Sequence, residues 1–187
     1  MKYIKLFEEF SKEVVLYHGS SQKLNRFDSE KISKGLGNTT YGWGAYFTDS
    51  IDFAKEYAEP YLYTIKTGGD YLQLYKTLDS EQKIKVQNAI DGLEIDIDLN
   101  VATGWDVYSN IVESIYDSYP SDVQFKKGRF GSSKETSLIL DSYGINGLMY
   151  KLEEVGTWDG APEYGHKGYG YVIYNPDSVT ITNREDI

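Results

Sequence analysis

Strand-like runs crowd both ends of this chain, and helix-like spacing fills its middle. That order constrains the fold more than any single residue does. Near the start, Val14-Val15-Leu16-Tyr17 is a short β-branched, apolar run that reads as a buried strand. Residues 41–48 and 61–66 read as further strands, with Gly68-Gly69 as a turn. Near the end, 147–150, 171–174 and 179–181 read the same way. Between them, Ile84, Ala89, Ile90 and Leu93, and then Val107, Ile111 and Ile115, recur at helical spacing. This reads as a helical insertion within a strand-rich domain. We therefore expect one domain over 14–187, with 79–119 as a helical insertion.

Smaller signals fill in the rest. Residues 1–13 read as an amphipathic helix or leader, with Ile4, Phe7 and Phe10 near one face. Asp49 or Ser50 is the expected N-cap of a helix that carries Ile51, Ala54, Tyr57 and Ala58 and ends at Pro60. Residues 120–133 read as a loop and 135–143 as a helix closed by Gly144. Residues 153–170, with five glycines, read as a mobile loop.

Charge and composition exclude some functions. The net charge is −10, with 19 basic against 29 acidic residues, which argues against non-specific nucleic-acid or anionic-membrane binding. There is no cysteine, hence no disulfide and no thiolate chemistry. No apolar stretch approaches the roughly 20 residues that span a bilayer, and Glu8 and Glu9 interrupt the first apolar patch. We expect no metal. The 18 tyrosines serve either ring recognition or β-rich packing.

Chemistry gathers at two places. His18, one of two histidines, ends the first strand and is followed by Gly19-Ser20. Gly42 and Gly44 precede Tyr46 and Phe47, and Tyr57 follows one helix later. Two tyrosines and a neutral imidazole can make a slot for a flat heteroaromatic amide, and glycines let a backbone approach a ligand closely. Arg26, Lys31 and Lys34 are the candidate anion donors nearby.

"LYHGS", "FDSEKI", "YGWGAYFTDSIDFAKEYA", "SYGINGLMY" and "YGYVIYNPDSVTI" together resemble the ADP-ribosyltransferase superfamily of the diphtheria-toxin and poly(ADP-ribose) polymerase type. The closer similarity is to ADP-ribosyltransferase-like domains of phage polyvalent proteins, over roughly residues 14–182. The resemblance implies an α+β fold, a split antiparallel β-sandwich with peripheral helices and a helical insertion, and NAD+ as substrate. It implies that His18 bonds a ribose, that Gly19 pairs with the nicotinamide carboxamide through its backbone, and that Tyr46 and Tyr57 sandwich the nicotinamide ring. Ser20, Phe47 and Arg26 complete the expected binding set. A serine usual in the polymerases is Ala54 here. The family's catalytic glutamate aligns with Gly170, so a carboxylate must come from elsewhere if catalysis survives. Glu163 is the candidate taken as catalytic with His18 and Tyr46; Glu153 and Glu154 lie in the same loop, as does His166.

Three functions stay open at this point. One is a mono-ADP-ribosyltransferase acting on a protein or other acceptor, phage-encoded and working in host cytoplasm or virion. The second is an inactive NAD+ or ADP-ribose binder. The third is a virion structural protein. Residues 1–10 also resemble the leaders that associate cargo with a phage capsid.

Overall fold

The computed structural model describes residues 13–32, 40–152 and 166–187. The leader, Lys34, Glu153, Glu154 and Glu163 lie outside them. Seven strands join in one sheet: β1 (Val14–Ser20), β2 (Ala45–Thr48), β3 (Tyr61–Thr67), β4 (Tyr71–Gln73), β5 (Gly147–Lys151), β6 (Tyr169–Ile173) and β7 (Thr180–Asp186), in the spatial order β4-β5-β6-β2-β1-β3-β7. Only β4 and β5 run parallel. The chain is α+β, as the resemblance implies.

The sheet is continuous but unevenly stitched. β1 and β3 pair along their whole length, from Val14↔Thr67 to Ser20↔Tyr61. β2 and β6 pair from Ala45↔Ile173 to Thr48↔Gly170. Between β1 and β2 the register holds a single pair, Tyr17↔Thr48. Beyond it, 18–20 and 45–47 diverge.

Four helices, α1 (Ile51–Lys55), α2 (Ser80–Ile90), α3 (Gly104–Ser118) and α4 (Ser121–Ser142), pack on the sheet. Local chemistry starts the first three. Ser50 caps α1, and capping boxes of Asp79 with Gln82 and Thr103 with Asp106 start α2 and α3. On α3, Val107, Ile111 and Ile115 recur every four residues and are buried. With α2 and α4 they share one large core with Leu72, Leu148, Tyr150 and Val172 from β4–β6. The stretch 79–119 thus packs into the same core as the strands.

α4 corrects the expected loop at 120–133. Its helix is broken only at Gly128 (φ 57°). Sequence periodicity missed it because its buried residues include Ser132, Thr136 and Ser137, small and polar rather than apolar. β4 was also missed, being three residues long. β7 runs beyond the expected 179–181 because its charged end, Asn183-Arg184-Glu185-Asp186, is an exposed edge, where charge is tolerated.

The other sheet face carries a second core of Leu16, Phe27, Phe47, Tyr63, Ile65, Tyr171, Ile173 and Val179. A third, small cluster lies under α1, where Ala54, Ala58 and Leu62 meet Tyr17.

Candidate functional site

The place where β1 and β2 part is bridged by a side chain. His18 Nδ1 lies 2.8 Å from the carbonyl oxygen of Tyr46. A carbonyl only accepts, so Nδ1 carries the proton and donates. Burial holds the imidazole below its ordinary pKa, outweighing the opposite effect of that bond. A neutral ring with its proton on Nδ1 leaves Nε2 as a bare acceptor, suited to a hydroxyl group. Phe27 meets the ring edge-on at 5.1 Å, and Phe47 lies at 5.5 Å.

The aromatic side chains divide between the two faces. His18 and Phe47 face the second core. Tyr46 packs against the first core, on the helical face. The imidazole is therefore joined to Tyr46 through its backbone, and the two rings do not line one slot. Phe47, 3% exposed, is a core residue that backs His18. Tyr57, at the end of α1, is exposed and lies beside Phe53, with ring centroids 5.3 Å apart. The structure thus brings Tyr57 and Tyr46 to one side of the sheet and the His18 ring to the other, at the strand seam.

The glycines of the motifs have reasons within the protein. A Cβ on Gly19 would fall 2.2 Å from the Ala54 carbonyl oxygen and 2.5 Å from the Ala58 amide nitrogen. The end of α1 presses on β1 there. A Cβ on Gly42 (φ +122°) would fall 2.6 Å from the Tyr108 hydroxyl, and one on Gly44 would fall 2.7 Å from the Ile173 carbonyl oxygen. Protein, where a ligand was expected, fills those spaces. The Tyr46 hydroxyl donates to the Gly42 carbonyl and accepts from the Tyr41 amide, both at 3.0 Å. It ties the 41–46 loop, and burial raises its pKa. Tyr108 ties the same loop to the helices by accepting from the Trp43 amide at 3.1 Å.

The remaining candidates are less central. The Ser20 hydroxyl accepts from the Gln22 amide in a turn. Arg26 is exposed and lies 3.7 Å from Asp28. Lys31 is exposed on a short 3-10 turn.

Several neighbours were not anticipated. His166 pairs with Glu56 at 2.7 Å, and its ring meets Phe53 at 5.2 Å. The Asp49 carboxylate accepts from the Tyr169 amide at 2.6 Å, while the Asp49 amide donates back to the Tyr169 carbonyl. That clasp fixes the start of β6 directly before Gly170. Over Gly170 lies Tyr150, whose ring carbon Cζ would be 2.2 Å from a Cβ added there. The strand pairing Tyr150↔Gly170 sets this contact, and no pattern within either segment alone reveals it. A cleft of about 320 Å³ lies elsewhere, behind the 41–44 loop, between Trp105, Tyr108, Arg129 and Phe130. Among the described residues no group of three or more acidic or histidine side chains is gathered as for a metal ion. No helix there is long and apolar enough to cross a membrane.

Comparison with known families bears on this arrangement. The profile described as ADP-ribosyltransferase in polyvalent proteins matches residues 12–156. The chain belongs to that family. The match takes in β1 with His18, the 41–48 segment, α1 and β5, and stops before β6 and Gly170. Neither the curated proteins nor the solved structures give a match. The seven-stranded, mostly antiparallel sheet with four helices is compatible with an ADP-ribosyltransferase fold. Such enzymes take NAD+ as substrate.

Proposed function

We propose that the chain is a mono-ADP-ribosyltransferase that binds NAD+ where β1 parts from β2, and that this parting is the family's split between half-sheets. The observation that carries the reading is the imidazole across the seam. His18 is held neutral, fixed by Tyr46, with Nε2 left to accept from a ribose hydroxyl. Across the seam, on the helical face, Tyr57 and Tyr46 supply aromatic surface for the nicotinamide ring. The diverging edge of 18–20 offers backbone groups, Gly19 among them, to the carboxamide. In the reaction the C–N glycosidic bond breaks, its electron pair leaves with nicotinamide, and an acceptor nucleophile bonds the oxocarbenium-like ribose carbon. We take the acceptor to be a protein and the setting to be phage-encoded, on the strength of the polyvalent-protein family.

A second reading has an observation of its own. Tyr150 lies against Gly170, so that position on β6 presents no carboxylate to the ribose. Preorganised charge in such a place is worth on the order of 10²–10³ in rate. An NAD+ binder without turnover fits that loss.

One assay separates the two. NAD+ labelled in its adenylate phosphate is incubated with the protein and a bacterial lysate, and labelled protein and free nicotinamide are both followed. Label in protein, one ADP-ribose per acceptor, lost in His18→Ala and reduced in Tyr57→Ala, is the expected result. NAD+ binding without nicotinamide release supports the binder. No binding at millimolar NAD+ overturns both.

A further inference from the structure

Tyr150 is held more firmly than its packing needs and bonded less than its chemistry allows. It is 8% exposed. Tyr41 stacks on its ring, with centroids 4.3 Å apart and planes 30° from parallel. The Gly170 backbone lies so close that a Cβ there would come within 2.5 Å of the Tyr150 hydroxyl oxygen. The ring has nowhere to swing. Yet no group among the described residues bonds its hydroxyl, which leaves its proton and lone pairs for water or a ligand. The Tyr174 hydroxyl is sealed in without a partner. The Tyr150 tip is not sealed in this way. It also lies within electrostatic reach of Tyr57.

We propose that Tyr150 is a substrate-contacting residue whose hydroxyl bonds the nicotinamide-side ribose from the space a side chain at 170 would fill. This rests on the NAD+ reading above. Position 170 faces the same side of the sheet as Tyr46, because Tyr46↔Val172 and Tyr150↔Gly170 lie two residues apart along β6. A group fixed beside the ring-binding tyrosines meets the next unit of the ligand, which is the sugar. Burial, reinforced by Tyr41 and Tyr57, raises the phenol's pKa, so it stays protonated. It can orient a ribose hydroxyl but cannot neutralise a developing positive charge. Gly170 and Tyr150 thus form a matched pair that keeps substrate contact and omits the carboxylate.

Calorimetry on the full chain, with NAD+ and with ADP, tests this, since ADP lacks the nicotinamide-side ribose. Tyr150→Phe keeps the ring and removes only the hydroxyl. NAD+ affinity should fall about fivefold, the scale of one neutral hydrogen bond, with ADP affinity and melting temperature unchanged. Unchanged NAD+ affinity, or equal losses for NAD+ and ADP, overturns the proposal. A second variant combines Tyr150→Ala with Gly170→Glu, opening the space and placing a carboxylate in it. Nicotinamide release should rise at least tenfold over wild type, and no rise also overturns the proposal. Failure of the wild-type chain to bind NAD+ overturns the NAD+ reading itself, and this contact with it.

Discussion

Gly19→Ala tests whether the glycine after the histidine serves the protein or a ligand. The added methyl carbon would stand 2.2 Å from the Ala54 carbonyl oxygen, 2.5 Å from the Ala58 nitrogen and 2.6 Å from the Tyr57 carbonyl carbon. All three are main-chain atoms, so no side chain can rotate away. Ordinary contact begins near 3.4 Å, so α1 must retreat by roughly 1 Å. That retreat loosens the packing of Ala54, Ala58 and Leu62, all nearly fully buried. Overpacking of this kind costs about 1–3 kcal/mol. A smaller gain of about 0.4–1 kcal/mol from restricting the unfolded chain opposes it. A net loss of about 1 kcal/mol should lower the melting temperature by about 2–4 °C in a chain of this length. The decisive measurement is a thermal melt with no NAD+ present. A melting temperature within 1 °C of wild type, with only NAD+ affinity reduced, would show that the glycine is there for a ligand and refute the packing argument.

Two further outcomes are expected. Because burial holds His18 below its ordinary value of 6.5, the unfolded chain takes up that proton first as pH falls. The neutral imidazole's contribution is therefore complete above pH 6.5 and is lost as pH drops toward the folded pKa, by up to about 1.4 kcal/mol per pH unit. In urea unfolding, His18→Gln should show a shallower loss of stability between pH 7.5 and 5.5 than wild type, and identical slopes would contradict this. Tyr46→Phe strands the Gly42 carbonyl and the Tyr41 amide and should cost about 1–3 kcal/mol. A denaturant midpoint equal to wild type would show the loop is held by other means.

Sequence spacing was a good guide where one face of an element was uniformly apolar. β1, β3 and α3 follow their hydrophobic patterns, and Ser50 and Gly144 sit where cap chemistry places them. Spacing failed on α4 because Ser132, Thr136 and Ser137 are buried beside the Tyr108 hydroxyl network rather than in an oily seam. At the site, the residue types of His18, Tyr46 and Tyr57 were legible, but their sides of the sheet were not. Side-chain direction alternates along a strand, so it depends on register, which a linear motif does not carry. The Tyr150↔Gly170 contact was hidden for the same reason. It joins strands that are distant in the sequence, and the glycine records the contact only once its partner is known.

The single register pair between β1 and β2 has a mechanical consequence. On one face, Leu16, Phe27 and Tyr63 on one side of the seam pack with Phe47, Tyr171 and Ile173 on the other, gluing the two halves together. On the opposite face the cores are separate, one under α1 and one under the longer helices. The sheet is therefore bound like a book, with its spine on the first face and α1 as the clasp across its open edge. Parting the pages there must also lift α1 either from Gly19 of β1 or from the first core, where Phe53 packs. Any guest that enters from the helical side must first move that clasp.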